Sequence, residues 1–133
     1  PAMSGIVVDC SVTAAWLLGE DDTDAAWSPP DGRELHVPAL WIAEMANVIL
    51  LAQRRKRLTA AEARAAEHLA ATLPVVVDPA PPSLGTLCGL GRDFGLTAYD
   101  ASYLELALRR GLTMMSFDKA LLRAARKAGV RPD

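Results

Sequence analysis

The sequence predicts an α/β fold in which helices cover both faces of a parallel sheet within a single domain. Short apolar segments alternate along the 133 residues with segments of helical pattern, an order typical of such folds. Residues 5–9 form a continuous apolar run that ends in an acid, the pattern of a strand covered on both faces. With 51% hydrophobic and 23% charged residues, the composition fits one compact domain.

Glycine, proline and capping residues set the bounds of the predicted elements. The predicted strands are residues 5–9, 35–37, 75–78 and 112–116, and the predicted helices are residues 11–18, 39–52, 60–72, 83–92, 97–110 and 118–127. Ser11 is placed to cap the first helix, and residues 59–62 form a capping box for the third. The second helix is apolar almost all round, so it is predicted to be buried. Residues 20–33 are expected to form a surface connection.

Composition and chain ends limit the class of protein. The apolar runs are too short or too interrupted to cross a bilayer, and no signal peptide is recognisable, so a cytoplasmic location is expected. Residues 1–2, which precede Met3, are interpreted as a cloning remnant, with one domain over residues 4–133. Cys10 and Cys88 lie far apart without ligand-like spacing, so neither a disulfide framework nor a zinc site is predicted.

The net charge of −2 argues against a protein that coats nucleic acid through a basic surface. The sum hides a second possibility, however. If a metal ion neutralised four of the 16 acids, the remaining balance would be 14 minus 12, or +2. A basic rim around an acidic cluster would then be compatible with a phosphate substrate.

Four acids occupy positions where carboxylates could meet. Asp9 and Asp118 each follow a predicted strand, and ligands of open parallel sheets bind beyond the carboxyl ends of the strands. Taken singly, Asp9 could equally be a turn residue and Asp118 a helix cap. Asp100 could close a capping box with Thr97, although the helix dipole there also favours the ionised carboxylate that a metal ion needs.

Glu44 is the least easily explained of the four, since a carboxylate inside an apolar helix is costly to bury without compensation. Asn47, three residues on, shares its face of the helix and could orient it through a hydrogen bond. The alternative is a helix face that opens to solvent.

Four carboxylates in one place would repel one another, since a pair 5 Å apart costs about 3 kcal/mol at an effective dielectric constant near 20. A divalent ion would remove this repulsion. Ligands that are all oxygen suit Mg²⁺ or Mn²⁺, one or two ions per site. The corresponding chemistry is metal-assisted hydrolysis of a phosphodiester.

Three other features carry weaker signals. His36 and His68 fall in a short strand and a helix, and structural roles are predicted for both. The basic run Arg54, Arg55, Lys56 and Arg57 lies at a helix C-terminus, where it would satisfy the dipole whether or not it also contacts RNA. Ala63, Ala66 and Ala70 form a small-residue face that could pack within the fold or across a dimer.

Four blocks of sequence together resemble the PIN domain. They are residues 7–11, with the first acid and Ser11, residues 38–48 around Glu44, residues 96–103 around Asp100, and residues 113–121 around Asp118. The resemblance spans nearly the whole chain, and its specificity comes from the order and spacing of the blocks. A chain with little beyond the PIN core is similar to the VapC-type toxins of bacterial toxin–antitoxin pairs.

The resemblance implies an endoribonuclease dependent on Mg²⁺ or Mn²⁺, with a parallel sheet of about five strands. It also implies a homodimer inhibited by a cognate VapB-type antitoxin. By this resemblance the metal-binding and catalytic acids are Asp9, Glu44, Asp100 and Asp118. Ser11 and Ser116 would support them by hydrogen bonding, Ser116 standing where the family most often has Thr. Only residues 130–131 remain to supply the fifth strand.

Two alternatives stay open at this point. One is a phosphatase of the haloacid dehalogenase type, suggested by Asp9 after a strand and by Thr13, although Ser11 occupies the place of the second Asp which that chemistry needs. The other is a catalytically silent PIN scaffold that only binds a protein partner.

Overall fold

The structure is a computed structural model that describes residues 5–19 and 32–133. The interpretation of residues 1–2 as a remnant, and nearly all of the connection over residues 20–33, lie outside these ranges. Where it is described, the chain alternates strands and helices in the predicted order.

The sheet has four parallel strands. They are β1 (Ile6–Val8), β2 (Leu35–Val37), β3 (Val75–Val77) and β4 (Thr113–Met115), arranged in the order β3-β2-β1-β4. Successive residues of a strand point to opposite faces of the sheet, and all three residues of β1 are completely buried. Both faces of the sheet are therefore covered, as the sequence predicted.

The predicted fifth strand is reduced to a single bridge beside β4. Residues 130–131 form no strand; Pro132 bridges to Met114 instead, in the parallel sense. The Met114 N–H donates to the Arg131 carbonyl at 3.0 Å, and the Asp133 N–H donates to the Met114 carbonyl at 2.8 Å. The carboxyl end of the chain thus covers the β4 edge without extending the sheet by a full strand.

Six helices flank the sheet within the described ranges. They are α1 (Cys10–Leu18), α2 (Leu40–Arg54), α3 (Ala60–Thr72), α4 (Leu84–Phe94), α5 (Ala98–Arg110) and α6 (Lys119–Lys127). The capping box at the start of α3 is confirmed, because Thr59 and Glu62 exchange both hydrogen bonds. None of these helices combines the length and the hydropathy that a membrane span needs.

The predicted cap of α1 is wrong by two residues. The helix begins at Cys10, and its N-cap is Asp9 rather than Ser11. The Asp9 carboxylate already accepts a hydrogen bond from the Val12 N–H at 3.3 Å, so it satisfies one of the free donors of the first turn. The Ser11 hydroxyl turns back and donates to the same carboxylate at 2.6 Å.

The prediction that α2 is buried on all sides is also wrong. Its buried residues are Trp41, Met45 and Ile49, which share the face turned to α1 and α3. Ile42 and Leu50 are 57% and 47% exposed. Hydrophobic residues all round a helix cannot reveal from sequence that only one face meets the core, and here α2 lies in the outer layer.

Candidate metal centre

Asp9 stands between the end of β1 and the start of α1, and three hydrogen bonds fix its carboxylate. One oxygen accepts from the Ser11 hydroxyl and the Val12 N–H, and the other accepts from the Ser116 hydroxyl at 2.5 Å. The residue is only 7% exposed. Ser11 and Ser116 therefore contact the first acid in the way the resemblance implied.

The segment after β4 is fixed to the segment after β1. The Ser116 hydroxyl, which donates to Asp9, also accepts from the Asp118 N–H at 2.9 Å, and the Phe117 N–H donates to the Ser11 hydroxyl at 3.2 Å. Asp118 is the N-cap of α6, because its Oδ1 accepts from the N–H groups of Ala120 and Leu121 at 2.9 and 3.2 Å. The carboxyl ends of two neighbouring strands thus bring Asp9 and Asp118 together.

Asp100 lies in the first turn of α5 and forms only half of the expected capping box. The Thr97 hydroxyl accepts from the Asp100 N–H at 3.1 Å. The Asp100 carboxylate accepts no hydrogen bond from residues 5–19 or 32–133, so it does not reach back to the Thr97 N–H. The cap of α5 therefore leaves this carboxylate available for another role.

Glu44 is half-buried on α2, and its partner is Tyr103 of α5. The Tyr103 hydroxyl donates to Glu44 Oε1 at 2.6 Å. The expected hydrogen bond from Asn47 is absent from the described contacts, because Asn47 is exposed and turned to solvent. Sequence reasoning missed Tyr103, because its burial and its contact with Glu44, 59 positions away, are visible only in the folded chain.

The pKa values of Asp9 and Asp100 indicate that neighbouring acids lie close enough to affect their ionisation. Burial raises the pKa of Asp9, with a smaller contribution from Asp118, and the hydrogen bonds from Ser11 and Ser116 offset part of this rise. Burial also raises the pKa of Asp100, and the charges of Asp118 and Asp9 add to it. Asp9 and Asp100 are therefore harder to ionise, mainly because they are buried and in part because other acids lie near them.

Glu44 belongs to the same group. Burial raises its pKa, the hydrogen bond from Tyr103 opposes the rise, and the charges of Asp100 and Asp9 add to it. Burial and then the charges of Glu44 and Asp9 raise the pKa of the neighbouring Cys10 thiol to about 12. The thiol therefore stays neutral near neutral pH, and the donors of this cluster are carboxylate oxygens.

The donor chemistry fits a hard divalent cation, because such ions prefer oxygen ligands. No three His, Cys, Asp or Glu side chains are already gathered around one point among residues 5–19 and 32–133. Asp9, Glu44, Asp100 and Asp118 are the residues that would hold such an ion.

The basic run that was predicted to be a possible RNA contact lies away from the acids. Arg54 ends α2 and is ten residues beyond Glu44, about 15 Å along the helix at 1.5 Å per residue. His36 lies in β2 and contacts Arg110 at 2.7 Å, while His68 is exposed on α3. Neither histidine lies at the acidic cluster, in agreement with the structural roles predicted for them.

A second buried acid, which sequence reasoning did not single out, forms ion pairs. Asp78 follows β3, is 3% exposed, and accepts from Arg109 and, at 2.8 Å, from Arg110 of α5. Burial alone would raise the pKa of Asp78, but the hydrogen bond from Arg109 and the charges of both arginines hold it below its usual range. Since β2 separates β3 from β1, this group is a structural ion pair outside the cluster.

Comparisons with known proteins indicate the family of the chain. A family model described as "PIN domain" matches residues 6–127. The crystal structure of PAE2754 from Pyrobaculum aerophilum is similar to this chain, with a TM-score of 0.70 and 27% sequence identity over 91% of this chain and 79% of that one. No curated protein sequence matches.

Proposed function

Because the chain belongs to the PIN-domain family, we propose that it is an endoribonuclease that hydrolyses RNA phosphodiester bonds with Mg²⁺ or Mn²⁺. PIN domains are generally metal-dependent nucleases. The observation that carries the proposal is the cluster of four carboxylates at the ends of β1 and β4 and in α2 and α5. Burial raises the pKa of Asp9, Glu44 and Asp100, and in each case the charge of at least one other acid of the cluster adds to the rise.

The residues of the chain would act by holding and orienting charge. Ser11 and Ser116 fix both oxygens of Asp9, and Tyr103 fixes one oxygen of Glu44. Asp118 is exposed and uses only one oxygen to cap α6, so its other oxygen is left as a ligand for a metal ion. A bound divalent ion would supply an activated water nucleophile and would neutralise charge that develops on the phosphate.

The proposal includes a biological setting of finer detail. We infer a VapC-type toxin in the cytoplasm, acting on RNA as a homodimer and neutralised by a VapB-type antitoxin. The support is the resemblance of the four sequence blocks. Ala63 and Ala66 pack with Ile49 inside the fold, so the homodimer would need a surface other than this alanine face.

The phosphatase alternative was suggested by Asp9 and Thr13, and the position of Thr13 does not support it. Thr13 is completely buried, and its hydroxyl accepts from the Trp41 indole N–H at 2.9 Å, so it points into the core. The silent scaffold makes a different prediction from the nuclease: it would bind protein partners but show neither saturable Mn²⁺ binding nor cleavage.

Purified protein, free of any partner, should cleave single-stranded RNA with Mg²⁺ and stop in chelator. Asp9→Asn and Glu44→Gln should abolish cleavage, whereas Glu67→Gln, the same chemical change on the exposed face of α3, should not. Cleavage by Asp9→Asn at the rate of the unmodified protein would refute the site. Mapping of cleaved RNAs in cells that express the protein alone would then identify the target.

A further inference from the structure

We propose that the exposed basic face of α6 holds the backbone of the RNA strand beside the metal centre. This inference rests on the proposed ribonuclease function and names the surface that would bind the substrate. The α6 basic face consists of Lys119, Arg123, Arg126 and Lys127, all of them exposed. At 100° per residue the four side chains fall within an arc of about 100°, so they form one continuous stripe.

The other side of α6 is apolar and packs into the core. Leu121, Ala124 and Ala125 are buried, and α6 contacts β4. The helix contains no acidic residue, so nothing on α6 itself neutralises the stripe. The orientation of the α6 basic face toward solvent is therefore fixed by the packing of the helix.

The α6 basic face has no ion-pair partner among the residues that the structure describes. In contrast, Arg109 and Arg110 of α5 are bound to Asp78, and Arg109 also to Glu105. Four positive charges on a helix of nine residues form a local positive field, although the chain as a whole carries a net charge of −2. Such a field attracts a polyanion.

Helix stability explains only part of the stripe. Arg126 and Lys127 lie in the last turn of α6, where the helix dipole favours cations, but Lys119 is the first residue of the helix, where the positive end of the dipole disfavours a cation. The like-charged pairs Lys119–Arg123 and Arg123–Lys127 are spaced i,i+4, a spacing at which like charges destabilise a helix. The run that begins at Arg54 differs, because all of it lies at a helix C-terminus, whereas Lys119 and Arg123 lie outside the last turn of α6. Bound phosphates would remove the repulsion on α6.

The position of the stripe fits a substrate track. Lys119 directly follows Asp118, so the α6 basic face begins at the acidic cluster and extends for about 12 Å along the helix axis. A phosphate at the metal centre would thus have its neighbours along α6. Contacts to phosphate position a strand without reading its sequence, so this surface would supply affinity and register for single-stranded RNA.

The test is the salt dependence of RNA binding by the full chain. Binding of a fluorescein-labelled single-stranded RNA is followed by fluorescence anisotropy in chelator, where no cleavage occurs. Each lost phosphate contact lowers the slope of log K against log[salt] by roughly 0.7 for a single strand. For Lys119→Gln/Arg123→Gln, which loses two contacts, we expect the slope to fall by about 1.4 and the affinity at 0.1 M salt to fall about 25-fold. Circular dichroism checks that the variants fold.

Two further double variants each lose two positive charges, as Lys119→Gln/Arg123→Gln does. Arg64→Gln/Arg92→Gln, on exposed positions of α3 and α4, is the matched control and should keep the slope of the unmodified protein. Arg55→Gln/Arg57→Gln tests the competing basic run beyond α2. If that variant lost the slope while Lys119→Gln/Arg123→Gln kept it, the RNA would run along α2, and the proposal would be overturned.

The remaining outcomes separate this inference from the proposed function. Mg²⁺-dependent cleavage together with an unchanged slope for Lys119→Gln/Arg123→Gln would overturn the α6 track and leave the nuclease standing. A lost slope without any cleavage by the unmodified protein would support the track as an RNA-binding surface and refute the nuclease. No RNA binding by the unmodified protein would overturn the track.

Discussion

Tyr103→Phe is the substitution that tests most directly how the fold prepares its acids. It removes one hydroxyl and keeps the ring in the core, where Tyr103 is 2% exposed. The lost interaction is the 2.6 Å hydrogen bond to Glu44 Oε1. Burial and the charge of Glu44 hold the pKa of Tyr103 far above its usual range, so the hydroxyl remains a donor at every pH of interest.

The expected loss can be estimated from the kind of bond. A hydrogen bond to a charged group contributes roughly 1.5–3 kcal/mol, and the lower end applies because water can reach the half-buried Glu44 after the change. About 1.5 kcal/mol corresponds to roughly tenfold weaker binding of the ion that Glu44 would help to hold. Without the hydroxyl, the pKa of Glu44 rises further, so protons compete better with the metal.

The assay is a Mn²⁺ titration followed by the electron paramagnetic resonance of free Mn²⁺, compared at mildly acidic and at alkaline pH. The deficit of Tyr103→Phe should shrink as the pH rises, because ionised Glu44 is then restored. Tyr99→Phe is the matched control: the same change one turn earlier, on a residue that is 66% exposed. If Tyr103→Phe bound Mn²⁺ as tightly as Tyr99→Phe at every pH, Tyr103 would have no part in the centre.

Three further predictions follow from the same contacts. Asp100→Asn should raise Tm in chelator at pH 7 but not near pH 4. Because the pKa of Asp100 is raised in the folded state, ionisation of this carboxyl costs stability as the pH rises above the pKa of the unfolded state. An amide does not ionise, so the variant avoids this loss. An unchanged Tm at pH 7 would contradict it. Asp78→Asn should lower the free energy of unfolding at pH 7 by about 2 kcal/mol, less than for a fully buried pair because Arg109 is 38% exposed. The pKa of Asp78 is lowered in the folded state. Urea titrations should therefore show that the difference in the free energy of unfolding between the variant and the unmodified protein disappears as the pH falls through that pKa. Ser116→Ala should weaken Mn²⁺ binding roughly 10- to 100-fold, as removal of a partner of a metal ligand typically does. Ser116→Thr, which keeps the hydroxyl, should bind Mn²⁺ normally; equal binding by the alanine variant would exclude the role of Ser116.

Much of the fold could be predicted because local sequence features determine it. The four strands are short apolar runs, and capping residues such as Thr59 and Thr97 mark the starts of helices. The cap of α1 was misplaced by two residues within one turn, but two larger failures depended on tertiary packing. The exposure of Ile42 follows from the place of α2 in the outer layer, and the reduction of the fifth strand to one bridge follows from how the chain end meets β4.

In the candidate site, too, some residues could be predicted from the sequence and others could not. Asp9 and Asp118 could be predicted because strand order alone brings the carboxyl ends of parallel strands together. The contact between Tyr103 and Glu44 joins residues 59 positions apart, and no local pattern indicates it. The α6 basic face was missed for another reason: its residues are spaced along a helix, whereas the run at residues 54–57 is contiguous and therefore conspicuous in sequence.

Capping and metal binding are compatible roles for these acids, because a carboxylate has about four acceptor positions. Asp9 accepts three hydrogen bonds, Asp118 two through one oxygen, Glu44 one, and Asp100 none from the described residues. Asp9 is therefore the most firmly placed and Asp100 the least. Loss of Asp9, whose carboxylate is held by the most hydrogen bonds, should therefore abolish metal binding in the Mn²⁺ titration, whereas loss of Asp100 should only weaken it.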